Sequence, residues 1–384
     1  MANSFPYIIG ISLFCMCTFV YEWLKEEERR KYVNIFTIAI FFVFFAFRGY
    51  VYSDWTSYVT VLRNVEWMDI FFITSEKASA TLHEPGFTLL CCLCKTITQE
   101  YAFLVIVITT IDTILFLRFL KRWNIENVAF AMMLFFAFEG VTIMFNLLRN
   151  QLAIFVFLNA LEYIRDRRPV PYFILCTIAL SFHLSSILYF PLYFFLHIRL
   201  NKWFFLSICC CLITIHILGI HLISFIAGLF VDGTLAAKLE FYTDYLSSKH
   251  SISIVNTFEK VALVIMIMLY YDKLSEHSAK GTLFINSLLL YLFFYYGLSE
   301  FKTFSERLAC LFVYSRWILW IYVYKSLNLN NNKQLLSALL YLYIVFISLG
   351  AYTLPIQEYD NLLFGGKSQI ERLKIFYKTY EPED

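Results

Sequence analysis

Apolar residues run along this chain in long blocks separated by short polar connectors. A bilayer core takes about 20 residues as helix. Blocks near 7–22, 33–47, 101–119, 127–146, 149–164, 170–184, 185–198, 203–230, 258–272, 282–298, 307–325 and 334–353 read as spans, several of them shorter than that ideal. Backbone groups in lipid must find partners within the same segment, so the spans are helices. The pattern predicts an all-α polytopic membrane protein with about 12 transmembrane helices.

Basic residues then orient the spans. Lys25, Arg29, Arg30 and Lys31 follow the first, and Arg118, Lys121 and Arg122 the third. Arg165, Arg167 and Arg168 follow the fifth, Arg199 and Lys202 the seventh, Lys273 and Lys280 the ninth, and Lys325 and Lys333 the eleventh. Positive loops stay inside, so both termini are expected outside. The apolar run 86–98 is too short to cross and would invert the later loops if it did, so it is expected as a re-entrant or interfacial helix within a long outer region, 48–100. Two more outer segments are expected at 231–257 and in the tail 354–384.

Composition agrees: 60% of the 384 residues are hydrophobic and 16% charged, so one embedded domain is expected and a soluble domain is excluded. A net charge of +2 does not suit a nucleic-acid partner. The ten cysteines lie within apolar runs and read as small hydrophobes, with no disulfide framework and no metal centre expected. The N-terminus lacks the basic start of a cleavable signal peptide, so 7–21 reads as a retained span. No phosphate-binding P-loop, acidic D-x-D pair or H-E-x-x-H helix is present, and no cofactor is expected.

The charges of interest sit on the other face, at span ends. FRGYVYSDWTSY carries Arg48, Asp54 and Tyr58; HEPGF carries Glu84; MFNLLRNQLA carries Arg149; SFHLSS carries His183; SEFKTFSERLA carries Arg307. Arg316 lies deeper, in apolar sequence. Ionisable groups at membrane depth cost about 2.5–3.5 kcal/mol on insertion scales, so they face a cavity or pair with one another. Guanidinium forks match phosphate oxygens, and a neutral histidine can take a proton from a sugar hydroxyl. Plainer readings stand beside these. Arg48 can reach headgroups, Arg149 can pair with Glu139 or a carbonyl, and His183 can be a satisfied turn residue. Arg316 can pair with Glu259 or Glu306, and Asp54 and Glu84 can pair with Arg48.

The order FRG…SDWTSY, EPGF, LRNQLA, SFHLSS resembles the EpsG family of Wzy-type polysaccharide polymerases over roughly 33–325. Arg48, Gly49, Asp54 and Tyr58 match its first element; Glu84, Pro85, Gly86 and Phe87 its second; Arg149, Gln151 and Ala153 its third; Phe182, His183 and Ser185 its fourth; Arg307 matches a late arginine. Tyr50 and Val51 depart from a frequent glycine, and Asn150 is inserted after the arginine, so substrate identity does not carry over.

The resemblance implies a GT-C-like glycosyltransferase of the bacterial inner membrane, with its active site facing outward. It would move a growing glycan from undecaprenyl pyrophosphate to an incoming undecaprenyl-pyrophosphate-linked oligosaccharide, without metal. In that scheme His183, Arg149 and Arg307 are catalytic, and Arg48, Asp54, Tyr58, Glu84 and Arg316 bind substrate. The lipid bilayer is a partner, and a chain-length regulator and a flippase are candidates. An O-antigen ligase-like enzyme, a flippase or exporter of lipid-linked sugars, and a structural subunit of an assembly complex are the alternatives.

Overall fold

The computed structural model describes residues 2–71, 84–220, 254–276 and 279–380, and it is helical throughout. Most of the expected outer loop 231–257 lies outside the described residues. The sequence reads as one domain; the chain divides into two compact units, 1–191 with 334–384, and 192–333.

In the first unit the helices are α1 (Phe5–Trp23), α2 (Glu27–Ala46), α3 (Trp55–Asn64), α4 (Pro85–Lys95), α5 (Tyr101–Arg122), α6 (Val128–Phe135), α7 (Val141–Asn146), α8 (Leu148–Arg165) and α9 (Pro169–Phe182). The second unit contains α10 (Lys202–Ile217), α11 (Ile254–Glu276), α12 (Ala279–Leu292), α13 (Lys302–Cys310) and α14 (Tyr314–Ser326). The chain re-enters the first unit through α15 (Asn330–Ala351) and ends in α16 (Gln369–Tyr380).

Phenylalanine builds the centre of the first unit. Phe14, Phe41, Phe45, Phe116, Phe135, Phe136 and Phe145 are buried, and their rings meet at tilted and edge-on angles that aromatic quadrupoles favour. Lipid supplies no hydrophobic drive between helices, so this close packing is what holds them together.

Among the described residues, Phe5–Trp23, Tyr101–Arg122, Val128–Asn146 and Asn330–Ala351 are long and apolar enough to cross a membrane. The third of these bends at a π-turn over Phe136–Gly140, where Glu139 has φ 68°. Gly140 is required there, because a Cβ would lie 2.2 Å from the Phe135 carbonyl oxygen. The stretch expected as a span at 185–198 is a 3-10 helix, Leu184–Tyr189, followed by the four-residue helix Leu192–Phe195. The stretch at 307–325 is interrupted between α13 and α14. Helix α4 has 11 residues, about 16 Å at 1.5 Å per residue and half a hydrocarbon core.

The tail 354–384, expected as an outer extension, is stitched to the segment between α2 and α3. Gly49 N–H donates to Asp360 O at 2.9 Å, Leu362 N–H to Phe47 O at 2.8 Å and Tyr52 N–H to Ile356 O at 2.8 Å. A Cβ on Gly49 would sit 2.8 Å from Asp360 Oδ2, so the approach needs glycine. Buried Arg372 closes the arrangement, donating from Nε to Asp360 Oδ2 at 3.1 Å and from Nη2 to Glu358 O at 2.9 Å.

Candidate functional site

Three helix ends in the first unit meet around one carboxylate. Glu84 precedes α4, whose first turn holds Pro85 and Gly86. Proline fits there because its missing N–H would have had no helical partner. A Cβ on Gly86 would lie 2.3 Å from Ser181 Oγ and 2.8 Å from Ser181 O, so glycine lets the start of α4 sit against the last turn of α9. That contact delivers Glu84 to the point where α9 stops. His183 there is extended, at φ −155° and ψ 125°, which turns the next backbone N–H outward. Leu184 N–H donates to Glu84 Oε1 at 2.8 Å.

Arg149, in the first turn of α8, donates from Nη1 to the other oxygen, Glu84 Oε2, at 2.6 Å. His183 Nδ1 lies 3.3 Å from Glu84 Oε1, within ion-pair range, but its angle is not that of a hydrogen bond. Burial pushes the Glu84 carboxyl up, but the His183 and Arg149 side chains and the Leu184 N–H outweigh it and hold the group at about 2. Glu84 therefore carries its charge at neutral pH. The three side chains stay partly open, at 16% for Glu84, 25% for Arg149 and 21% for His183.

Asn146, the last residue of α7, ties in the segment that leads into α3. Its Oδ1 accepts from Asp54 N–H at 2.9 Å and Ser53 N–H at 3.2 Å, and its carbonyl accepts from Tyr58 O–H at 3.4 Å. Tyr58 lies beside Arg149, and its phenol is pushed up to about 12, first by burial and then by the Asp54 charge. Asp54, Tyr58, Glu84, Arg149 and His183 thus form one cluster in one unit.

The other expected site residues lie elsewhere. Arg48, expected to bind substrate, is 1% exposed. Its backbone bridges to Asn361 while its Nη1 donates to Phe45 O and, at 3.4 Å, to Thr109 Oγ1. The physical reason is the tail, which covers this segment and leaves the side chain turned into the core. Arg316, in the second unit, is 5% exposed. Its Nη2 donates to Glu259 Oε2 at 2.6 Å and its Nη1 to Tyr291 O–H at 3.1 Å, while Trp320 Nε1 donates to Glu259 Oε1 at 2.9 Å. This is the structural pairing with Glu259 rather than Glu306. Arg307 is exposed on α13 of the second unit.

Two residues escaped the sequence reading. Asn146 stands in the same MFNLLRN string as Arg149, where a polar side chain ends an apolar run. Asp112 is an acid inside the apolar α5, and that isolation is itself a signal. Among the described residues no three His, Cys, Asp or Glu side chains gather as a metal centre would need.

A family model for the EpsG family matches residues 31–362. The chain belongs to the EpsG family. EpsG proteins are Wzy-like polysaccharide polymerases, so this chain has a polymerase-type, glycosyltransferase-like function in a membrane. No curated protein and no solved structure matches the chain. The matched region of this EpsG chain takes in the whole Glu84–Arg149–His183 cluster and the Asn361 bridge that encloses Arg48.

Proposed function

We propose that this EpsG protein lengthens a polysaccharide at the outer face of the bacterial inner membrane. It transfers the growing glycan from undecaprenyl pyrophosphate to the terminal sugar of an incoming lipid-linked repeat unit. The carrying observation is the Glu84 carboxylate bracketed by Arg149 and His183 at three helix ends.

A sugar hydroxyl must lose a proton as it attacks, and pyrophosphate must leave with its charge neutralised. Glu84 beside Nδ1 favours the tautomer that leaves Nε2 as the base toward the acceptor hydroxyl. Arg149 spends Nη1 on Glu84 and its side chain stays 25% exposed, so guanidinium donors remain for a phosphate oxygen. Asp54, fixed through Asn146, holds the sugar, while Tyr58, at 4% exposed, braces Arg149 from inside. Arg48 and Arg316, both enclosed and bonded, stay outside the substrate contacts in this reading.

The test is direct. Purified full-length protein given lipid-linked repeat units isolated from its host's membranes is expected to build a ladder of longer glycans without nucleotide or added metal. Arg149→Ala and His183→Ala are expected to stop the ladder while remaining monodisperse. A wild-type ladder from both variants would overturn the site.

A further inference from the structure

Helix α3 has a second polar face. Thr56, Thr60 and Arg63 are spaced i, i+4 and i+7, so they share one side of the helix. Tyr58, which meets Asn146 and Arg149, is two residues from Thr56 and from Thr60, about 200° around a helix. The polar stripe therefore faces away from Arg149. It faces α16, where Gln369, Leu373 and Phe376 repeat the same spacing. Arg63 Nη2 donates to Gln369 Oε1 at 2.8 Å, which joins the last turn of α3 to the first residue of α16. Between the two helices runs an open groove of about 440 Å³, inside the range of about 300–1,000 Å³ that ligand sites occupy. From Thr56 to Arg63 its α3 wall is about 10 Å long at 1.5 Å per residue.

Both walls are held in place by the fold. Leu373 packs against the buried cluster that contains Trp55 and Val59. Its neighbour Arg372 is bonded to Asp360 and to Glu358 O, and Asp360 O accepts from Gly49 N–H. A groove that already has its shape spares a ligand the cost of ordering it.

The lining selects the ligand. Among the described residues around the groove, Arg63 is the one charged side chain, and the neutral Gln369 amide already takes one of its donors. A single cation, partly used, does not suit a pyrophosphate. The Asn64 and Gln369 amides donate and accept, and the Thr60 hydroxyl, which donates to Thr56 O, still accepts. Phe376 and exposed Tyr377 add aromatic faces. A sugar needs both kinds of surface at once: donors and acceptors for its hydroxyls, and flat apolar faces for its C–H sides. A lipid tail needs only the second.

We propose that the groove between α3 and α16 is a subsite for uncharged sugar units of the glycan, holding the chain beside its reacting end. The groove begins at Thr56, two residues from Asp54. Its place beside the reacting end rests on the site reading above; its affinity for sugars does not.

The experiment uses the full-length protein in detergent and fluorescently tagged oligosaccharides cut from the host's own polysaccharide. Wild type is expected to bind them in fluorescence anisotropy. The double variant Gln369→Ala, Tyr377→Ala is expected to bind about tenfold more weakly, for one hydrogen-bonding group and one aromatic face lost. Thr60→Trp, which fills the groove from the opposite wall, is expected to weaken binding at least as much. These three positions are not buried, so both variants are expected to stay monodisperse. On lipid-linked repeat units isolated from host membranes, both are expected to build shorter ladders than wild type. Unchanged binding in either variant overturns the subsite. If wild type takes up lipid-linked units but no free oligosaccharide, the groove belongs to the lipid carrier and the proposal falls. Ladders of wild-type length from the weakened binders overturn its place beside the reacting end. A wild-type chain that binds oligosaccharide but builds no ladder sinks the site reading and leaves the sugar subsite standing.

Discussion

Replacing Glu84 with glutamine changes one atom's chemistry and little shape, so it isolates the charge. The carboxylate uses both oxygens as acceptors, Oε2 for Arg149 and Oε1 for Leu184 N–H. Glutamine offers one acceptor. Its amide nitrogen must face either the guanidinium or the backbone N–H, donor against donor. Hydrogen bonds to charged groups contribute about 1.5–3 kcal/mol each. The carboxyl shift gives a second measure: from 4.5 to about 2, at 1.36 kcal/mol per unit, it corresponds to about 3 kcal/mol. Partial exposure of Arg149 and His183 screens the pair, so about 2 kcal/mol is the better figure. At neutral pH the Glu84→Gln protein is expected to melt about 5 °C below wild type.

The pH dependence carries the sign. A carboxylate held below its ordinary range stabilises the fold above that range, and the contribution fades as pH falls from 4.5 through about 2. Wild type loses it across that window, whereas Glu84→Gln never had it. The gap in melting temperature between the two proteins is therefore expected to be full at pH 7 and to close toward pH 2.5. Thermal melting in detergent across that range checks it, because other carboxylates titrate alike in both proteins. A gap that stays constant with pH, or no gap at pH 7, refutes the charge pairing at Glu84.

Gly86→Ala is expected to cost about 1–3 kcal/mol and to abolish the glycan ladder. Adding Ser181→Ala should recover only part, since the new Cβ still meets the Ser181 carbonyl at 2.8 Å; full recovery would argue against the backbone contact. Asn146→Ala strips the acceptor from Ser53 and Asp54 N–H and is expected to lower Tm by about 5 °C, read by the same melts. Arg149→Lys keeps the charge but loses the planar fork, and ladder assembly with host repeat units is expected to fall at least tenfold. A cysteine replacing Asp54 should react with an impermeant maleimide added outside whole cells; labelling only after the cytosolic face is opened contradicts the outward orientation.

Some of this arrangement is readable from residues alone because its causes are local. Pro85 and Gly86 announce a helix start with a close neighbour, and SFHLSS announces a stop. Partner choice is not local. Arg149 reads equally well as a partner of Glu139, ten residues away, yet it meets Glu84, 65 residues away, because the α4–α9 contact at Gly86 brings that carboxylate in. Arg48 looks like an exposed cation at a span end, and only the returning tail buries it, through residues more than 300 positions downstream. The interruption at 184–195 is hidden for a different reason. Its apolar composition fits a span, and the break is supported from outside by Tyr172 O–H donating to Tyr189 O.

The candidate site falls where helices end, and membrane chemistry explains why. A continuous helix in hydrocarbon satisfies its own backbone and leaves nothing to bind with. A break releases N–H and C=O groups that need partners, and polar side chains placed there supply them. Leu184 N–H is such a released donor, and Glu84 accepts it. Asn146 does the same at the end of α7, accepting from the segment that leads into α3, just before α8 begins with Arg149 in its first turn. The breaks and the charges are thus one requirement seen twice: a charged cluster in this bundle needs helix ends for its partners, and the helix ends need the cluster. Making α8 continuous with α7, or α9 continuous through His183, would remove the reason for the carboxylate to be held there at all.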